Sequence, residues 1–400
     1  MNLEIKLKEI IDLFFIDNNE SIKYGLLSGS IGYSLLLLYY SKEFKDEVSL
    51  NKGIDIIENV FSDIEKTKYP IFSFCNGLAG LGWFLNHIKE NKLLDVDVNQ
   101  ISEEIDDILF ESMKKELKLN HWDFLHGGLG IGFYFLTRSK SSDTALEKID
   151  YLLSYLENSA EIEDEKCFKW KSILRLETKE IGYNISLSHG ISNIAALMTK
   201  MYKENIFPER TSKLAKGAIE YILKQEIDVN IYGSYFPSYS KDYNYGTTSK
   251  SRLGWCYGDL GISIVLLNTG RIFKNECWEK KAIEVLLYAA KERKDLNSNM
   301  IFDAGLCHGA VSVAHIFYRA WWITQIQEFK DAAKYWYEQV LLMSTFKDGL
   351  AGFKSYTRID NKIDYVNEMG LLEGVSGIGL SILSYITNTE PTWDECLLLS

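Results

Sequence analysis

A glycine followed three residues later by a second small residue or Asn, and then by an apolar run, opens seven stretches of the 400-residue chain. These glycines are Gly29, Gly77, Gly127, Gly190, Gly258, Gly309 and Gly374, at intervals of 48, 50, 63, 68, 51 and 65 residues. The looser members read Ile191-Ser192-Asn193 and Ala310-Val311-Ser312 after the glycine. A period of about 50 residues with insertions marks a helix-pair array, in which each repeat buries its apolar face against its neighbours.

The segments between the glycines carry apolar residues at three- and four-residue spacing with charges on the opposite face. They run near Leu3 to Phe15, Ile54 to Ile64, Ile101 to Leu117, Ala145 to Leu156, Leu214 to Leu223, Trp278 to Ala290 and Ala332 to Met343. Such stripes belong on helices with one wet side. The runs after the glycines, among them Leu35 to Tyr40, Ile264 to Leu267 and Val313 to Trp322, are apolar nearly all round and read as buried helices. An open array needs polar capping repeats, yet the first and last repeats are as apolar as the rest. The expected fold is therefore all-α: a closed α/α toroid of seven inner and seven outer helices, one domain over residues 1–400, with the glycine phrases at one rim. Glycine suits that rim because the turns demand close backbone approach and positive φ. Insertions near 158–187 and 227–251 interrupt the period. In the first, alternation between Glu161 and Ile185 suggests a short β-hairpin. The second, Ile231 to Ser251, is rich in Tyr, Ser, Gly and Asn and reads as an ordered loop lining a site.

Four prolines against 28 glycines agree with helices joined by glycine turns. A net charge of −12 disfavours nucleic acid and anionic membrane as partners and suits a basic peptide. The first residues show no secretion signal, and no apolar run reaches about 18 residues, so no membrane span is expected. Six widely scattered cysteines point to a reducing cytosol.

Three phrases carry groups capable of chemistry. Cys256 lies two residues before Gly258, and Cys307 and His308 lie directly before Gly309. Two thiols and an imidazole make the three-ligand set of a working zinc site with an open fourth position. The plainer alternative is two buried thiols and a satisfied rim histidine. A histidine precedes the glycine at His126, His189 and His308, although the chain has only 6. His189 is a candidate general acid or base; His126 could equally be an idle rim residue. Asp123 and Arg252 sit four residues before Gly127 and Cys256, where an exposed ion pair is the alternative. Tyr257 reads as a site residue or a packed aromatic, and Cys75 as a core thiol.

The phrases Asp123-Phe124-Leu125-His126-Gly127, Ser188-His189-Gly190-Ile191, Arg252-Leu253-Gly254-Trp255-Cys256-Tyr257-Gly258, Cys307-His308-Gly309 and Leu372-Glu373-Gly374-Val375-Ser376-Gly377 give the chain a resemblance to the LanC-like, lanthionine synthetase cyclase family over essentially its whole length. That resemblance implies an α/α toroid carrying one Zn2+ on Cys256, Cys307 and His308, with Asp123, His189, Arg252 and Tyr257 around it as catalytic residues. It implies a stand-alone cyclase adding peptide cysteine thiolates to dehydroalanine or dehydrobutyrine. Its partners would be a dehydrated precursor peptide and, in a biosynthetic complex, a dehydratase and an exporter. The location would be cytoplasmic, or peripheral at the inner membrane through that complex. Ser192-Asn193 departs from the family pattern. The competing expectations are a zinc- and glutathione-binding protein without cyclase activity, a prenyl transferase acting on thiols, and a metal-free helical scaffold.

Overall fold

The computed structural model describes residues 2–16, 24–68, 70–175, 180–242, 249–359 and 362–400. In chain order the helices are α1 (Leu3–Asp12), α2 (Ser30–Phe44), α3 (Glu47–Lys66), α4 (Leu78–Glu90), α5 (Asn99–Lys118), α6 (Gly128–Arg138), α7 (Thr144–Ser159), α8 (Ile191–Lys203), α9 (Pro208–Lys224), α10 (Val229–Tyr232), α11 (Asp259–Ile272), α12 (Glu276–Glu292), α13 (Ala310–Thr324), α14 (Gln327–Met343) and α15 (Val375–Thr387). The strands are β1 (Glu161–Asp164), β2 (Cys167–Lys169), β3 (Ser172–Arg175), β4 (Glu180–Gly182), β5 (Ser355–Ile359) and β6 (Lys362–Val366). No helix among the described residues is long and apolar enough to cross a membrane.

The chain gathers into two compact units, Met1–Ile105 with Ile301–Trp393, and Asp106–Met300 with Asp394–Ser400. In the first, the buried helices α2, α4, α13 and α15 are accompanied by the amphipathic α1, α3 and α14; α3 packs on α2, α14 on α13 and α1 on α15. In the second, α6, α8 and α11 are buried and pack against α7, α9 and α12 respectively. Several amphipathic helices, though not α7 or α14, carry the start signals that the chemistry of caps requires. Asp46 accepts from Ser49 N ahead of α3, Asn275 accepts from Cys277 N and Trp278 N ahead of α12, and Pro208 opens α9. The buried helices have no such side-chain cap; each begins at its phrase glycine.

The loop leading into those glycines repeats one geometry. The residue after the glycine donates its N–H seven residues back: Leu78 to Ile71 O, Gly128 to His121 O, Ile191 to Asn184 O, Ala310 to Asp303 O and Val375 to Glu368 O, at 2.8 to 3.0 Å. The loop thus lies flat across the helix end, and its orphan N–H groups are satisfied by backbone. A Cβ on Gly190 would fall 2.4 Å from Asn184 O and 2.5 Å from Ser186 N. Positive φ, by contrast, is needed at Gly258 alone of the seven, at +84°. The other six are extended, so close approach and not left-handed backbone is what excludes a side chain there.

Three hairpins decorate the helices. Where one was expected between Glu161 and Ile185 there are two, β1–β2 with Ile162 opposite Phe168, and β3–β4 with Ile173 opposite Ile181. Trp170, buried between them, donates its indole N–H to Leu156 O at 2.9 Å. The hairpin β5–β6 was not foreseen, because its alternation is short and polar. The 227–251 insertion opens with the single turn α10 and returns as a loop at Ser234–Ser240; residues 243–248 of that expected loop, and 176–179 of the first insertion, lie outside the described residues.

Gly190→Ala is expected to destabilise the protein by about 1–3 kcal/mol, since the added methyl meets backbone that cannot move independently. Urea unfolding measures this; stability equal to the parent would mean that the loop yields freely.

Candidate functional site

The second unit assembles most of the predicted site on the loops before α6, α8 and α11. His189 Nδ1 and Asp123 Oδ2 are 2.5 Å apart, the other carboxylate oxygen accepts the His126 N–H at 2.7 Å, and His189 N–H donates to Ser186 Oγ at 3.1 Å. Both side chains are therefore held by the repeated loop and not by a helix. The His126 ring lies parallel to His189 at 6.2 Å, exposed, and Tyr257 lies 6.2 Å from His189 on another side. Tyr257 in turn meets Tyr239 edge to face and accepts a hydrogen bond from Asn184 Nδ2 at 3.4 Å.

The charges follow from this packing. Burial works to raise the Asp123 pKa, but the His189 charge and hydrogen bond and the His126 N–H outweigh it, so the carboxyl stands below its usual value. Burial works to lower His189; the Asp123 carboxylate, with a further contribution from the Cys256 sulfur, reverses that and holds the imidazole above its usual value. Each group thus favours the charged form of the other. Burial, reinforced by Tyr239, keeps the Tyr257 phenol far above its ordinary range and hence protonated.

Cys256 is buried, and its carbonyl accepts both the N–H and the hydroxyl of Ser188, at 3.4 and 3.2 Å. Arg252 is half-buried, and among the described residues no hydrogen bond or ion pair engages its guanidinium. In the first unit Cys307 and His308 are half-buried on the loop before α13; Cys307 N–H donates to Leu372 O at 2.8 Å and Cys307 O accepts from Ser312 Oγ at 3.4 Å. Cys256 in the second unit, and Cys307 and His308 in the first, are side chains of the types that hold zinc. None of the six cysteines, all described, is in a disulfide.

What sequence reading missed is the scaffold beneath the Cys256 loop. Arg293 and Asp259, 1% and 0% exposed at their side chains, form an ion pair at 2.8 Å. Arg293 also donates to Asn299 Oδ1 at 2.9 Å and to Ser251 O at 2.5 Å, while Asp259 accepts from Tyr235 N and Phe236 N. Leu253 N–H donates to Asn299 O at 3.1 Å. The ends of the Ser251–Gly258 loop are thus fastened through one guanidinium. A signal existed: Asp259 is an acid at the position after the phrase glycine, where the other six repeats have Ser, Leu, Gly, Ile, Ala and Val.

A family model for lanthionine synthetase C-like protein matches residues 20–398, and the chain belongs to that family. It is 22% identical over 411 residues to the nisin biosynthesis protein NisC of Lactococcus lactis subsp. lactis, covering 96% of this chain and 91% of that one. The solved structure of a nisin cyclase superposes with a TM-score of 0.75 at 18% identity, over 100% of this chain and 96% of its own. The likeness bears out the expected all-helical α/α toroid, and the described residues contain the seven buried and seven amphipathic helices that it requires.

Arg293→Met is expected to cost about 3–5 kcal/mol, because Asp259 would remain buried without its counter-charge. Adding Asp259→Asn is expected to restore part of that loss; guanidinium chloride titrations of the single and double variants measure the difference.

Proposed function

We propose that the protein is a zinc-dependent lanthionine-forming cyclase acting on a dehydrated precursor peptide, with residues 1–400 serving as one cyclase domain. Family membership over residues 20–398 and the likeness to a nisin cyclase support the reaction class. The observation that carries the reading is the donor set: Cys256, Cys307 and His308 offer two soft thiolates and one imidazole, the ligand types and number of a zinc site that keeps a position open. Zinc held there would supply a lowered pKa for a substrate thiol, and so its nucleophilic thiolate form.

The remaining chemistry falls to this chain's own side chains. In the addition, the peptide sulfur bonds to the β-carbon of a dehydroalanine or dehydrobutyrine, and the π electrons move onto the α-carbon and its amide carbonyl. The α-carbon then needs a proton. The His189 imidazolium, charged and oriented through Nδ1 by Asp123, leaves Nε2–H to deliver it. Arg252, whose guanidinium no protein group engages among the described residues, is suited to stabilise the developing enolate oxygen. The protonated Tyr257 phenol can donate to the same carbonyl or fix the peptide backbone. A dehydratase and an exporter belong to this reading as partners, and the reducing interior of the cell as its location.

Elemental analysis is the first test. The purified protein is expected to carry about one zinc, and Cys256→Ala and Cys307→Ala to carry none. In parallel, loss of alkylatable thiols from a dehydrated peptide reports ring closure; zinc and thiol binding without ring closure would instead make the protein a thiol-binding relative. Little or no zinc in the parent would end the proposal.

Asp123→Asn removes the carboxylate that raises His189. His189 acting as an acid is active while protonated, so activity falls as pH rises through its pKa. The alkaline limb of the pH–rate profile is therefore expected to move to lower pH in Asp123→Asn, and His189→Ala to lose about 10²–10⁴-fold in rate. An unmoved alkaline limb would remove His189 from the acid role.

A further inference from the structure

The second unit holds a groove of about 560 Å³ walled by the β1–β2 turn, the middle of α9 and the turn between α11 and α12. It is remote from the reaction: the whole of α11, 14 residues and so about 21 Å long, separates Gly258 from Phe273 at its edge. Its size falls within the ~300–1,000 Å³ typical of ligand sites.

Four lysines, Lys166, Lys213, Lys216 and Lys274, line the groove, and all are exposed. In a chain of net charge −12 such a cluster stands out, and the more so because neighbouring cations are paired. Lys169 bridges Glu163 and Asp242, Lys224 bridges Glu163 and Asp164, Arg210 bridges Asp150 and Glu157, and Lys281 bridges Glu226 and Glu284. None of the four groove lysines has an ion pair among the described residues. Three acids share the walls: Glu276 pairs with Lys280 at 3.3 Å, while Glu220, which accepts the Trp278 indole N–H at 3.2 Å, and Glu165 keep their charge, so the four lysines outnumber the acids by one. The floor is aromatic. Phe168 and Trp278 are buried and Phe273 is half-buried, with Lys216 Nζ 4.9 Å from the Phe273 centroid. Gly217 makes room for this floor, since a Cβ there would lie 2.2 Å from Phe168 Cδ2.

The geometry points to a docking groove for an acidic peptide segment bearing an aromatic or aliphatic side chain. Unpaired ammonium groups on the walls match the carboxylates, and the aromatic floor takes the apolar anchor. A phosphate group would use the lysines but leave the floor empty, so the paired features favour peptide over phosphate. The site stands apart from the proposed zinc and His189 chemistry, and its existence does not depend on them.

Fluorescence anisotropy with a labelled synthetic peptide in which Asp and Glu alternate with Phe and Leu tests this on the full chain. Binding is expected to weaken at least ~10-fold, about 1.4 kcal/mol, in Lys213→Glu/Lys216→Glu and in the milder Lys213→Gln/Lys216→Gln. It is expected to persist in Lys291→Glu, an exposed lysine of α12 that does not line the groove, and to weaken for polyglutamate, which lacks the anchor. Circular dichroism checks that each variant is folded. Equal affinity in the groove variants, equal affinity for polyglutamate, or displacement of the peptide by millimolar inorganic phosphate would each overturn the proposal.

Discussion

Backbone hydrogen bonds between neighbouring glycine phrases are the constraint on which the site depends. In the first unit the residue two before the glycine donates to its counterpart in the next phrase: Leu27 to Cys75 O, Leu372 to Leu27 O and Cys307 to Leu372 O, at 2.8 to 3.0 Å. In the second unit Ser188 makes the equivalent bond to Cys256 O at 3.4 Å. These groups are buried or nearly so, and leaving one unmade costs about 1–3 kcal/mol. Cys256 and Cys307 both occupy this position, so the backbone of each candidate ligand is set by the linkage that joins the repeats. The glycines follow from the same requirement, because the flat loop closes only where no Cβ intervenes.

The Cys256 phrase is the exception that needs extra support. Gly258 takes positive φ, and this repeat lacks the seven-residue backbone closure found in five others. Its loop carries three candidate groups, Arg252, Cys256 and Tyr257, within six residues, and it gains freedom to present them by giving up the common closure. Arg293 replaces the missing bonds. A buried guanidinium serves better than an ammonium here, since its planar fork reaches Asp259, Asn299 and Ser251 O together. The buried pair is better explained as the fastening of this loop than as a source of net stability, because desolvation offsets most of its attraction.

The repeat count and the two kinds of helix were legible because each rests on a local pattern, as were the phrases that carry the candidate site residues. Periodicity revealed the helices, and their bounds extended the expected apolar cores by a turn or so at polar ends, where caps such as Asp46 and Asn275 take over. Asp123, His189 and Tyr257 were identifiable from their phrases. The hydrogen bond that unites Asp123 with His189 was not, since it joins loops 66 residues apart. The Arg293 network left only Asp259 as a trace in the sequence: Arg293 itself reads as one more charge ending an amphipathic helix, and only tertiary packing turns it inward. The second hairpin and β5–β6 escaped because strands of three to five residues leave too short an alternation to separate from loop.

Placing the acid–base pair on loops has an electrostatic consequence. A carboxylate this enclosed would ordinarily drift toward its neutral form, and an enclosed imidazole would lose its proton. Each is kept charged by the other, with the His126 N–H adding to the carboxylate's side. The charge preference of the pair therefore follows from the contact between His189 and Asp123. That geometry is built from backbone bonds that also hold the repeats together, so the same loops serve the fold and the proposed proton delivery at once.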